Sequence, residues 1–226
     1  IIRTGSIGGG GTKSPGGKIG SADISISGGD IQAQFVMAAG AKSTPSFTMT
    51  GGTIRDSDAT DNSEYIHLQK NGGAVYLEDG TFNMSGGTIR DCAGEYGGAV
   101  YIKKGAESTE APSFNMSGGE IYLCKAKMDG GAVYLEDGHV TISGSTAKIR
   151  SCESNYSGGA ICIRKTGEYN PSFTMSGGNL LDNYAGVEGG AVHLEGGEVT
   201  VSGGNINGNV VLNGNGGGIS INSGGF

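Results

Sequence analysis

Residues Thr81–Ile102 read TFNMSGGTIRDCAGEYGGAVYI, and two units inside this stretch recur along the chain. The first is apolar-x-apolar-Ser/Thr-Gly-Gly. It stands at Ile24–Gly29 (ISISGG), Phe47–Gly52 (FTMTGG), Phe82–Gly87, Phe114–Gly119 (FNMSGG), Phe173–Gly178 (FTMSGG) and Val199–Gly204 (VTVSGG), with Val140–Ser145 (VTISGS) as a degenerate copy. The second is Gly-Gly-Ala-Val-Tyr-Leu, at Gly72–Leu77, Gly97–Ile102, Gly130–Leu135, Gly158–Ile163 (GGAICI), Gly189–Leu194 (GGAVHL) and, shortened, Gly217–Ile221 (GGISI). The two alternate, each returning roughly every 30 residues, within the period range of solenoids. Apolar residues inside both units recur with period two, which excludes helical repeats and predicts short strands with one buried face.

In the first unit Phe82 and Met84 point one way, and Asn83 and Ser85 the other. In the second, Val75 and Leu77 oppose Ala74 and Tyr76. A third short strand is expected after each Gly-Gly pair, as in Ile54–Ser57, Ile89–Cys92, Ile121–Cys124, Ile149–Cys152 and Leu180–Asn183. Glycine at the corners supplies the positive φ that a sharp turn requires. The prediction is an all-β chain, a right-handed parallel β-helix of about seven coils with three short strands per coil, the coils stacking at about 4.8 Å. No coil buries its inner face alone; stacking makes the core. Residues 1–23 read as a Gly-rich N-terminal segment or cap, and residues 24–226 as the repeat domain.

Composition agrees with a patterned repeat and not with an ordinary globule. The 226 residues include 47 glycines and no tryptophan, and only 35% are hydrophobic. Such a composition would read as disorder if its apolar residues were unpatterned. The formal charge is −7, from 15 basic and 22 acidic residues. Without basic clusters, nucleic acid is not an expected partner. No apolar run approaches the roughly 20 residues of a membrane span. The chain runs from Ile1 to Phe226 with the repeat still in progress, so a processed protein or a fragment of a longer one is expected.

The turn after the second unit alternates in length. Short turns are Glu78-Asp79-Gly80, Glu136-Asp137-Gly138 and Glu195-Gly196-Gly197; long ones are Ala39–Ser46, Lys103–Ser113 and Arg164–Ser172. Every second coil therefore projects a loop from one edge. Such insertions are either an interaction surface or tolerated surface chain.

The third strand and the following Gly-Gly-Ala form a pattern seen most fully in Leu180-Leu181-Asp182-Asn183-Tyr184-Ala185 and Gly189-Gly190-Ala191-Val192. This pattern resembles the GGA[ILV] and FxxN repeats of chlamydial polymorphic outer membrane proteins, and is similar to Gly-rich β-helix surface proteins of spirochaetes and gut bacteria. The resemblance runs from about Ile24 to Ile221 and implies an autotransporter-like or anchored adhesin. It departs where Ile or Leu replaces Phe and where Cys92, Cys124, Cys152 or Ser57 replaces Asn.

Candidate binding residues lie on the outward positions of successive second units, which align as Tyr76, Tyr101, Tyr134, Cys162, His193 and Ser220. Exposed tyrosines there would stack on sugar rings or anchor a protein partner, or else simply pack across strands. A second outward ladder pairs Thr48/Thr50, Asn83/Ser85, Asn115/Ser117, Thr141/Ser143, Thr174/Ser176 and Thr200/Ser202. It has the form of an ice-binding array, but its mixture of Asn, Ser and Thr fits an ordinary polar face better. Asn83, Asn115 and Asn155 head glycosylation triplets. Cys92, Cys124 and Cys152 occupy equivalent positions on three coils, within disulfide range or as a buried thiol ladder, and no CxxC indicates zinc. Asp56, Asp58, Asp61 and Glu64 form an acidic insertion. It is read as a Ca²⁺ site or as a solvated loop, without the spacing of an EF-hand.

Catalytic signals are sparse. The acids lie mainly in turns, and His67, His139 and His193 fall on different coils. Gly138-His139-Val140 is similar to the Gly-His-Gly of polygalacturonases, but their Asn-Thr-Asp and Asp-Asp motifs are missing. Three functions follow in order of expectation. The first is a non-catalytic structural or adhesive module, extracellular or on a bacterial surface, that binds a host-cell or matrix protein or a glycan. The second is a fibre former stacking end to end. The third is a polysaccharide lyase or hydrolase.

Overall fold

The computed structural model describes residues 18–19, 23–38, 45–59 and 70–222. Among these residues the chain is all strand, without a helix, and every strand pairing is parallel. Three long sheets result, an arrangement compatible with a β-helix or solenoid.

The widest sheet is built from the first unit. Its strands Ile24–Ile31, Ser46–Arg55, Thr81–Arg90, Ser113–Tyr122, Ser172–Leu181 and Glu198–Asn207 lie side by side. Between Ser113–Tyr122 and Ser172–Leu181 the place of one strand is taken by two pieces, His139–Ile142 and Lys148–Arg150. The second unit makes the GGA sheet: Phe35–Met37, Val75–Leu77, Val100–Ile102, Val133–Leu135, Ile161–Arg164, Val192–Glu195 and Ile219–Asn222. Lys18–Ile19, within the segment read as a cap, pairs with Val36 and Met37 and so extends this sheet.

The expected division into strands needs correction. The first unit and the supposed third strand are one ten-residue strand, such as Thr81–Arg90, that runs through its Gly-Gly pair. The glycine at φ +83 in Gly87 bends the strand without breaking it, and the bend is absorbed as a register shift around Ser85. The real third sheet is narrower and comes later: Ala93–Gly94, Lys125–Ala126, Glu153–Ser154, Tyr184–Ala185 and Val210–Val211.

The corner leading into that narrow sheet is made by glycine once among the described residues, at Gly208 with φ 68° before Val210–Val211. Asp56, Asp91, Leu123, Ser151 and Asp182 all take left-handed backbone conformations, with φ between 51° and 53°. Asp tolerates this region because its short side chain bonds locally; Leu does not.

Inside the stack, identical side chains lie over one another. The rings of Phe47, Phe82 and Phe114 stack at 4.6 and 4.8 Å. Met49, Met84 and Met116 form a second column, and Ile54, Ile89 and Ile121 a third, all buried. Burying each such side chain is worth roughly 1.5–3 kcal/mol, so the column as a whole holds the coils together.

After each left-handed corner comes one buried polar position: Ser57, Cys92, Cys124, Cys152, Asn183 and, half-buried, Asn209. Asn183 donates through Nδ2 to the Ile149 carbonyl at 3.1 Å and accepts from the Cys152 amide at 3.1 Å. Asn209 repeats this one coil on, donating to the Leu180 carbonyl at 2.9 Å and accepting from the Asn183 amide at 3.0 Å. Where cysteine stands instead, its thiol turns to the carbonyl two residues back, Arg90 for Cys92 and Arg150 for Cys152, at 3.2 and 3.4 Å. All four cysteines are free thiols.

Candidate functional site

The second-unit ladder has the expected register: Tyr76 beside Tyr101, Tyr101 beside Tyr134, then Cys162, His193 and Ser220. Of the two readings of its tyrosines, exposed for binding or packed across strands, the packed arrangement is the one present. Tyr76, Tyr101 and Tyr134 are only 8%, 4% and 3% exposed and form, with Val36, Ala38 and Cys162, a second apolar cluster outside the main core. The physical reason is the stacking itself. Tyr76 and Tyr101 lie at 5.0 Å and Tyr101 and Tyr134 at 5.6 Å, nearly parallel, so each ring hides its neighbour's face. Tyr96, from the turn before the GGA strand of Tyr101, closes on Tyr134 at 4.9 Å. The Tyr101 hydroxyl donates to Glu136 Oε2 at 2.6 Å. Burial, reinforced by that carboxylate, holds the Tyr101 phenol protonated far above its ordinary range.

The ladder turns polar at its far half. His193 is 2% exposed, with Nδ1 3.5 Å from Glu188 Oε2. Among the described residues that Nδ1 has no hydrogen-bond partner. Burial lowers the His193 pKa, against the opposing pull of Glu188, Asp129 and Glu195. Cys162 is also buried, which pushes its thiol pKa up, so this cysteine is held as the unreactive thiol. Asp129 accepts the Ser157 amide at 2.9 Å and meets Arg164 Nη1 at 3.2 Å; Arg164 Nε bonds Glu195 at 2.5 Å.

Immediately after the GGA strands the charges alternate down the stack: Glu78, Lys103, Glu136, Arg164, Glu195. Lys103 pairs with Glu136 at 3.0 Å. The pattern is legible in the sequence from Glu78 onward as the residue after each apolar-x-apolar strand, acidic before a short turn and basic before a long loop, while Ala38 stands in that place before the first long loop. Asp129, Tyr96 and Arg164 were not singled out there, because the spacing along the chain does not tell which turn residues fold back over the ladder.

The long loops lie on one edge. Lys104 Nζ sits 4.6 Å over the ring of Tyr169, joining the Lys103–Ser113 loop to the Arg164–Ser172 loop across the short turn between them. Each loop ends in a proline whose carbonyl accepts an amide of the next coil: Pro45 from Thr81, Pro112 from His139 and Pro171 from Glu198. Gly105 and Ser108 both donate to the Glu78 carbonyl, at 2.9 and 3.0 Å. Beneath the joined loops Asp137 is buried, which raises its pKa, with Glu136 adding and Lys103 opposing. Most of the Ala39–Ser46 loop lies outside the described residues.

Of the acidic insertion, Asp61 and Glu64 lie outside the described residues, as does His67. Asp56 forms an ion pair with Arg55, and Asp58 bridges to Ala93 through its backbone. No group of three or more His, Cys, Asp or Glu converges as metal ligands among the described residues. His139 Nδ1 lies 2.8 Å from Ser172 Oγ on the wide sheet, far in topology from His193 on the GGA sheet. Among the described residues no helix is long and apolar enough to cross a membrane. The chain matches no protein-family model, no curated protein and no solved structure.

Proposed function

We propose that the chain is a non-catalytic structural and adhesive module of a secreted or cell-surface bacterial protein, coiled as a right-handed parallel β-helix of about seven turns. The resemblance to chlamydial surface repeats supports this reading, and one observation carries it: Lys104 of one long loop caps Tyr169 of the next. The loops of alternate coils thereby form a single ledge on a rigid stack, able to present several side chains to a host-cell or matrix protein or a glycan. Weak contacts repeated along such a scaffold sum to useful avidity without chemistry. The test is binding of the purified chain to a panel of matrix proteins and glycans, alongside Lys104→Ser/Tyr169→Ser. Saturable binding supports an adhesive module, and its loss in the variant places the contact on the ledge. No binding across the panel would overturn the reading.

A further inference from the structure

The corner into the narrow sheet passes one backbone amide from each coil to the next. Asp91 donates to the Tyr122 carbonyl at 3.3 Å, Leu123 to that of Arg150 at 3.4 Å, Ser151 to that of Leu181 at 3.1 Å and Asp182 to that of Asn207 at 3.1 Å. At the last described corner the Gly208 amide turns instead to the side chain before it, donating to Asn207 Oδ1 at 2.9 Å. Both residues are exposed. Gly208 carries no Cβ, and one placed there would stand 2.1 Å from Asp182 Oδ1. The Gly208 nitrogen is therefore held beside the Asn207 side-chain amide, with no side chain of its own to screen it.

We propose that Asn207 is a site of covalent self-modification, converting through a cyclic imide to aspartate and isoaspartate, and that the conversion loosens this corner. Hydroxide takes the Gly208 amide proton, and the nitrogen attacks Asn207 Cγ. A Cγ–N bond to Gly208 forms, the Cγ–Nδ2 bond breaks, and the side-chain nitrogen leaves as ammonia with a proton from water. Water then opens the imide at either carbonyl. Attack at Cγ gives aspartate on the original backbone. Attack at the backbone carbonyl gives isoaspartate, in which the chain runs on through Cγ. No oxidant, metal or enzyme enters; the reactants are the chain and water, and proximity supplies the rate.

Asn-Gly pairs stand at Asn71, Asn207, Asn213 and Asn215, and the geometry separates them. At Asn71 both reacting groups are engaged elsewhere. Its Oδ1 accepts the Tyr96 amide at 3.3 Å, and the Gly72 amide donates to the Tyr96 carbonyl at 2.9 Å. At Asn207 the two groups are engaged with each other. The consequence follows from what rests on Asn207. Its carbonyl accepts the Asp182 amide at 3.1 Å and Asn209 Nδ2 at 3.1 Å. In isoaspartate that carbonyl becomes part of a free carboxylate, and the backbone gains a methylene. The last rung between the two corners is then broken, and a new negative charge lies near the Asp182 carboxylate.

The experiment is incubation of the full chain at pH 6 and pH 8, with tandem mass spectrometry to place amide-to-acid conversion and an isoaspartate methyltransferase to label the isomer. Asn207→Ser removes the reacting amide. Gly208→Ser keeps it but screens the nitrogen, and Ser151 shows that serine holds this corner conformation, at φ 51°. Circular dichroism confirms that both variants fold. Conversion severalfold faster at Asn207 than at Asn71, Asn213 or Asn215 is the expected result, faster at pH 8 than at pH 6 and severalfold slower in Gly208→Ser. Hydrogen exchange at the Asp182 amide should quicken in the converted protein and stay unchanged in Asn207→Ser after the same incubation. Conversion no faster at Asn207 than at the other three pairs would overturn the proposal. So would a rate indifferent to Gly208→Ser, or Asp182 exchange unaltered once Asn207 has converted.

Discussion

The Cε methyl of Met84 fills the space in front of Gly119 on the neighbouring coil, 2.7 Å from where a Cβ on that glycine would lie. The same contact joins Met49 to Gly87 and Met175 to Gly204, so the methionine of one FxMSGG unit locks into the second glycine of the next. Gly119 also has φ +82, where a Cβ brings strain of its own. Gly119→Ala is therefore expected to cost roughly 2–4 kcal/mol, from overpacking and left-handed strain together. Met84→Ala is expected to cost about 2–5 kcal/mol as a cavity. Met84→Ala removes one of the contacts the new Cβ meets and leaves the Gly87 carbonyl oxygen at 2.8 Å and the Gly86 carbonyl carbon at 2.9 Å, so the double variant should be only modestly less destabilised than the two costs added. Urea unfolding of the three variants measures this. Simple additivity would show that the methyl and the glycine are not in fact coupled.

Leu123 stands at a corner where the equivalent residues are Asp56, Asp91, Ser151, Asp182 and Gly208, yet it shares their left-handed conformation, at φ 53°. It is 45% exposed, so little apolar burial compensates. Leu123→Asn should raise stability by about 1 kcal/mol, because Asn enters the left-handed region with less steric cost. A rise in thermal midpoint of a few degrees is the expected readout. An unchanged or lowered midpoint would mean that Leu123 contributes packing that its exposure conceals.

These corners also mark how far the sequence could be read. The alternation in Phe82-Asn83-Met84-Ser85 was enough to place Phe82 and Met84 in the core and Asn83 and Ser85 outside, because strand geometry leaves only two faces. The second unit needed more than alternation. Period two put Tyr101 opposite Val100, but whether the outer face of a sheet is bare depends on what folds over it, here Tyr96 and the stacked rings themselves. The recurring Gly-Gly drew attention to the wrong corner. Glycine bends the wide strand, while the change of sheet falls to Asp91 and its equivalents, whose identity varies among Asp, Ser, Leu and Gly and whose signal was only the Ser, Cys or Asn that follows. The Lys104–Tyr169 contact joins residues on coils that are not consecutive, so no local pattern announced it.

The buried position after each corner accepts either cysteine or asparagine, and the two solve the same problem differently. Asn183 satisfies the Ile149 carbonyl and the Cys152 amide at once. Replacing it by Leu should orphan both groups at a cost of roughly 2–4 kcal/mol, since each buried unpaired group costs about 1–3 kcal/mol. Cys152→Asn should fall within about 1 kcal/mol of the parent. Cys152 Sγ already lies 3.9 Å from the Ile121 carbonyl, the counterpart of the acceptor used by Asn183, so an amide there extends an existing ladder. Chemical denaturation of both variants decides it. If Cys152→Asn proved as damaging as Asn183→Leu, the thiol positions would be too tight for an amide, and the ladder would be two separate devices.

His193 should give the fold a dependence on pH. The groups facing it are Glu188, Asp129, Glu195, Arg164 and Cys162, and burial outweighs the carboxylates, so its pKa in the folded chain lies below the ordinary 6.5. The unfolded chain then binds a proton more readily than the folded one as pH falls through 6.5, and stability is lost from there down towards the folded pKa. Above that window the contribution is constant. Asp137 works in the opposite sense, because its raised pKa makes the folded chain the better proton binder, but it does so at the more acid end. Urea midpoints measured at pH 8, 7, 6 and 5 should fall between pH 7 and 5 in the parent, and fall less in His193→Gln. Equal slopes in the two proteins would mean that the imidazole is already solvated or already paired with Glu188 as the cation. The 3.5 Å separation would then be an ion pair in its own right and not a buried neutral ring beside a carboxylate.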